Sequence, residues 1–340
     1  MDAGILPIGS SHASSSKTVA GSLRDGKKLD SLTSNASGED AVVLGGEETP
    51  TLKPQKDRPV HALKEHIARL VQGFAERESS RFRTVLSASV EAADALAAKE
   101  YHAPSVQKAV SCALSLYKDA SETLIPEIPF EEEVVDSREF LEGFLLPNDN
   151  SPEDSARCQK LLDPLLRTSH VPGLKLKAVV LNEPGFMAFG KGGENLILSR
   201  GILDLPEEQS RAGLAHEAAH NDLRHFTAVR IAMAIQKVLI EIEGKGGKGP
   251  VKGIAQLAEN SLQREQEFEA DSRAVELLQG AGYGPEGLVG LLAHLQAEAP
   301  DDGNIFSDHP TMEERLRTLA ASKGRDPHAE WNLVPSPHRR

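Results

Sequence analysis

Apolar residues recur along most of this chain at steps of three and four. Val60, Leu63, Ile67, Leu70, Val71 and Phe74 form one series. Val85, Leu86, Val90, Ala93 and Leu96 form a second, and Val106, Val110, Ala113, Leu114 and Tyr117 a third. That period predicts two or three amphipathic helices, packed as a small bundle or against a larger body. The cluster Pro147-Asn148-Asp149-Asn150-Ser151-Pro152 breaks the pattern and marks a boundary. Beyond it, 156–166 reads as a helix, while 174–181 alternates and then turns apolar, as a strand does. A Pro184-Gly185 turn and a glycine-rich bend lead to a second predicted strand at 195–199. The helical period returns over 205–215, where Pro206, Glu207 and Glu208 make a favourable helix opening. Further helices are predicted over 225–242, 254–279, 285–297 and 311–321, with Gly280 and Pro285 ending the long one. The pattern is that of a predominantly helical α+β protein with a small β-sheet.

Composition divides the 340 residues further. Residues 1–57 are rich in Ser, Gly, Thr, Asp and Lys and hold no aromatic residue, so they are expected to be a disordered tail. A helical region, 58–146, a second domain, 152–325, and a short C-terminal tail, 326–340, follow. The net charge of −13 argues against nucleic acid and anionic membranes as partners. No stretch of about 18 apolar residues is present. The nearest, 226–242, is interrupted by Arg230, Gln236, Lys237 and Glu241, so no membrane span is expected. The start carries an acid where a secretion signal has basic residues, which favours a cytoplasmic location. The Ser-rich N-terminus leaves open export by a specialised secretion system without a cleaved signal. Cys112 and Cys158 are too few for a disulfide scaffold. Gly244–Pro250 lacks the Gly-Lys-Ser/Thr ending of a phosphate loop and reads as a connector, and Glu131-Glu132-Glu133 reads as a solvated helix face.

Candidate chemistry lies at His216-Glu217-Ala218-Ala219-His220. On a helix, residues four apart share a face, so the two imidazoles point the same way with a carboxylate beside them. Two neutral nitrogen ligands and an acid able to take a proton from water are what a catalytic zinc site uses. With 12 His and 33 Glu, chance placement gives about 0.04 such motifs in a chain of this length. A catalytic zinc needs a third protein ligand. A His six residues after the second is absent, since position 226 is Phe, and His225 is one residue early and off the face. Glu267 and Asp271, four apart on the predicted long helix, supply a carboxylate ligand and a residue that hydrogen-bonds a ligand histidine from behind. The same run also fits a merely charged helix face.

Four separated segments carry a family resemblance over about 155–325. They are 187–203 (Met-Ala-Phe-Gly through Gly-Ile-Leu), His216–His220 with His225, Glu267–Asp271 followed by Gly282-Tyr283-Gly284-Pro285, and His309-Pro310 with Arg315. The chain resembles the HtpX-like and CAAX-prenyl-endopeptidase-like zinc metallopeptidases, a gluzincin family, in a branch without membrane helices. Met187 stands where that family usually has Asn. The resemblance implies one Zn2+ held by His216, His220 and Glu267, with Asp271 behind a ligand histidine. It implies a metalloendopeptidase acting on a protein or peptide substrate through zinc-activated water, with Glu217 as general base. His309 and Arg315 are the candidates to assist at the oxyanion, with His309 alternatively gating the site and Arg315 alternatively holding a carboxylate. Asn195, Leu196, Ile197, Leu198 and Ser199 would form an edge strand that pairs with an extended substrate. Two other readings remain open: a protease-like binding or chaperone module with an occluded site, and an exported protease effector.

Overall fold

The computed structural model describes residues 62–144, 150–182, 188–190, 192–244, 246–298 and 310–322. The expected tails at 1–57 and 326–340, together with Met187 and His309, lie outside the described residues. All described residues fall in one compact unit running from Lys53 to Arg340. The fold is predominantly helical, with one small mixed sheet.

Among the described residues five helices come first: α1 (Ala62–Arg77), α2 (Ser79–Glu91), α3 (Ala93–Ala97), α4 (Pro104–Leu124) and α5 (Phe130–Phe144). Helix α6 (Pro152–Leu162) leads into the sheet. Ser151 caps α6 by accepting from the Asp154 amide at 3.3 Å, so Pro152 opens this helix instead of merely breaking the chain. The strands are β1 (Lys177–Leu181), β2 (Ala188–Gly190) and β3 (Asn195–Ser199), in the order β1-β3-β2. β1 runs parallel to β3, with Lys177 opposite Asn195, and β2 runs antiparallel to β3, with Ala188 opposite Leu198. Helices α7 (Glu207–Asp222), α8 (His225–Glu243), α9 (Pro250–Gly280), α10 (Glu286–Glu298) and α11 (Met312–Ser322) complete the described residues.

The expectation that Asn195–Ser199 is an edge strand is corrected here. β3 is the central strand, paired on both sides, and all five of its residues are buried. Its apolar run Leu196-Ile197-Leu198 explains this: a strand covered on both faces and both edges carries no alternation. The sheet's outer edges belong to β1 and β2.

Two apolar cores share the long helix α9. One joins β1, β3, α6, α7, α10, α11 and the C-terminal half of α9 through residues such as Val180, Leu198, Leu214, Ala274, Leu288 and Leu319. The other joins α1, α2 and α4 to α8 and the N-terminal half of α9 through Phe74, Phe82, Tyr117, Ile235, Ile254 and Ala258. The early helices are therefore packed directly on the two helices that flank the candidate site.

Helix α5 also corrects the reading of Glu131-Glu132-Glu133 as a solvated face. Successive helical residues point about 100° apart, so three adjacent acids cannot share one face. Glu133 is turned inward and buried, where its Oε1 accepts from Arg224 Nε at 2.7 Å. The same guanidinium donates to the carbonyls of Ile125 and Ile128 at 3.0 and 2.7 Å. Nearby, Ser137 accepts from the Asn195 side-chain amide at 2.9 Å, and Arg138 pairs with both Glu194 oxygens. Gly193 completes this contact. Its φ is +66°, and an added Cβ would collide with the Glu133 backbone carbonyl. Gly193→Ala is expected to destabilise the protein by at least about 1–2 kcal/mol from the left-handed backbone alone, read as a lower midpoint in urea unfolding.

Candidate metal centre

Three helices bring the candidate residues together. His216, Glu217 and His220 lie in the last two turns of α7, Glu267 and Asp271 in the middle of α9, and Arg315 at the start of α11. The residues around them explain the close approach. Ala215, Ala218 and Ala219 on α7 and Ala270 and Ala274 on α9 are fully buried in one core, and the two helices pack on each other. Small side chains let the two helices come close enough for short carboxylate and imidazole side chains to converge.

The two imidazoles converge, each facing a different oxygen of the Glu267 carboxylate, and one donor atom from each of the three residues lies within 4.8 Å of the others. His216 Nε2 lies 3.2 Å from His220 Nε2, Glu267 Oε2 lies 3.3 Å from His216 Nε2, and Glu267 Oε1 lies 3.4 Å from His220 Nε2. Donors placed about 2.0–2.2 Å from a tetrahedral zinc are separated by roughly 3.3–3.5 Å. Two nitrogens and one carboxylate at these spacings therefore fit that metal, and among the described residues they form the group able to hold one.

The charges fit as well. Asp271 Oδ1 lies 3.0 Å from His216 Nδ1, the geometry in which Nδ1–H donates to the carboxylate and leaves Nε2 as a ligand. Arg315, itself buried, grips Asp271 with two bonds, Nε to Oδ2 at 2.8 Å and Nη2 to Oδ1 at 2.6 Å. Its Nη1 lies 3.0 Å from Glu267 Oε2. When ionised, Glu217, Glu267 and Asp271 against Arg315 leave a net of two negative charges, matching a divalent cation. Burial works against the Asp271 carboxylate, but the Arg315 bonds and charge outweigh it and hold its pKa below the usual range. Burial and Arg315 oppose a proton on His216, yet hydrogen bonds to Asp271 and Glu267 raise its pKa to about 9. Carboxylates that hold a proton that firmly at His216 will also favour a cation there. His220 is driven the other way, its pKa lowered chiefly by burial, with only Glu267 resisting.

A model of peptidase family M48 matches residues 152–323. The chain belongs to this family. Membership bears out the resemblance read from the four sequence segments at the level of the family, whose members are metallopeptidases that typically use zinc. The His216, His220 and Glu267 cluster is compatible with that chemistry. No curated protein matches the chain. No helix among the described residues is long and apolar enough to cross a membrane.

Of the residues expected from sequence, the structure assembles His216, His220, Glu267, Asp271 and Arg315, with Glu217 half-buried on the same turn of α7. Asn195–Ser199 lie in the sheet centre. His225 is not in the ligand group, in keeping with its place off the His216/His220 face, yet it lies directly against His220. Helix α7 stops at Asp222, and Arg224 adopts a left-handed conformation with φ 57°. The break turns α8 back and sets His225 Nδ1 3.0 Å from His220 Nδ1. The sequence holds no Gly or Asn at 224 to announce it. The contact that goes with it is the buried Glu133 that clasps Arg224, 91 residues earlier.

Proposed function

We propose that this protein is a zinc-dependent endopeptidase in which His216, His220 and Glu267 hold the metal and Glu217 moves the proton. The observation that supports it most is the convergence of two imidazole nitrogens 3.2 Å apart on the Glu267 carboxylate, whose two oxygens lie 3.3 Å from His216 Nε2 and 3.4 Å from His220 Nε2. Zinc, when bound, supplies a Lewis acid that lowers the pKa of water toward about 7 and polarises a carbonyl. Glu217 stands one residue beyond His216 on α7, near enough for its charge to act on Arg315. From there it takes a proton from the attacking water and returns it to the leaving amine. Asp271 fixes the tautomer of His216.

Arg315 acts as a positioning residue. Its guanidinium is committed to Asp271 and Glu267, which favours the carboxylate-holding alternative over direct contact with the substrate. Arg315→Lys keeps the charge but loses the two-pronged grip. It is expected to weaken zinc binding by about tenfold, measured by competition with a chelator. By sequence His309 stands six residues before Arg315, and we keep it as the candidate donor to the oxyanion. The substrate strand moves from β3 to β2, an outer strand of the sheet that packs against α7. An extended peptide pairing there is recognised through its backbone, which suits a peptidase cutting within chains.

The test is incubation of the zinc-loaded protein with an unfolded protein, followed by mass spectrometry of new N-termini. Cuts at internal peptide bonds are expected. Retention of the client without any new terminus would replace this reading with the binding-module one.

A further inference from the structure

Outside the three proposed ligands, the structure holds a second run of donor atoms behind His220. His225 opens α8 and is buried. Its Nδ1 lies 3.0 Å from His220 Nδ1, and its Nε2 lies 3.2 Å from Glu269 Oε2 on α9. The rings of His220 and His225 meet edge to face, with centroids 5.0 Å apart and planes at 77°. Glu269 is 61% exposed, so the run leads from the site to the surface.

Two imidazole nitrogens at that distance hydrogen-bond only when one carries a proton and the other a lone pair. The proposed ligation fixes which. With His220 Nε2 as a ligand atom, the His220 proton sits on Nδ1 and donates to His225 Nδ1. That leaves the proton of His225 on Nε2, where it donates to Glu269 Oε2. Every donor then faces an acceptor, and no other assignment of the two neutral rings achieves this. His216 is backed differently, by Asp271 directly. His220 has a carboxylate at one remove, with an imidazole between.

The backbone is committed to this contact. Arg224 holds a left-handed conformation that a non-glycine residue rarely adopts, and Glu133 and two carbonyls fasten it there. Gln266 Nε2 reaches the His225 carbonyl at 3.5 Å from α9. We propose that His225 is a positioning residue for the metal site: it accepts the Nδ1 proton of His220, is itself oriented by Glu269, and so fixes the tautomer and aim of the second imidazole. This rests on His220 being a ligand.

The readout is zinc affinity, measured by chelator competition on the full chain. His225→Phe fills the space without an acceptor and is expected to raise the zinc Kd by about 10–100-fold. His225→Asn places an oxygen where Nδ1 stood and is expected to recover most of that loss. Glu269→Gln is expected to weaken zinc in the wild-type background and to have no effect beside His225→Asn, which has already lost the link. Wild-type affinity in His225→Phe, or equal loss in the Phe and Asn variants, would overturn the proposal. If His225→Phe does not fold, the two Glu269→Gln comparisons decide it, and equal effects in both backgrounds would overturn it. His220→Ala separates the two levels. Undiminished zinc binding in that variant removes the ligand assignment itself, whereas normal loss there with none in His225→Phe removes only the positioning role.

Discussion

Replacing Glu217 by Gln is expected to lower peptide hydrolysis by about 10²–10⁴-fold, the range for losing a positioned general base, with zinc still bound. Gln matches Glu in size and hydrogen-bonding reach but cannot hold a proton at neutral pH. The residue lies on α7 between the two histidines, and its neighbours Ala215, Ala218 and Ala219 are packed in the core. An isosteric change leaves that packing untouched. Kinetics and metal analysis on the same preparation check the expectation. Hydrolysis at the wild-type rate removes Glu217 as the base, and loss of zinc along with activity places it among the groups that hold the metal.

Replacing Glu267 by Ala has the opposite signature. Two imidazoles alone make a weak site, so the zinc Kd is expected to rise by more than about 100-fold, beyond the 10–100-fold typical of residues that only support a ligand. The change also removes a buried partner of Arg315, whose guanidinium keeps both bonds to Asp271. Metal content after dialysis reads the effect directly. Full occupancy in this variant would return Glu267 to the reading of a merely charged helix face.

The helical frame was legible because it rests on local regularities. The apolar period located α1, α2 and α4, the apolar run gave β3, and His216–His220 followed from four-residue spacing on one helix. The pairing of that helix with Glu267 and Asp271 came from a recognisable arrangement of separated segments. What escaped the sequence depends on contacts between distant residues. The inward turn of Glu133 is set by Arg224, and the inward turn of His225 is set by the break that Arg224 makes. Strand order is also non-local. Asn195–Ser199 look the same in sequence at an edge or a centre, and only β1 and β2 on either side decide between them. For Arg315 the sequence leaves two roles open, assisting at the oxyanion or holding a carboxylate, and choosing between them needs the contacts with Asp271 and Glu267 that fill its hydrogen-bonding fork.

The central claim is that one zinc, held by His216, His220 and Glu267, makes this chain a peptidase. It is tested most directly by stripping the protein with a chelator and titrating zinc back while following cleavage of an unfolded protein. Cleavage is expected to vanish on stripping and to return in proportion to added zinc, reaching its maximum at one equivalent per chain. Cleavage that survives the chelator, or that stays absent with one zinc bound, would contradict the account.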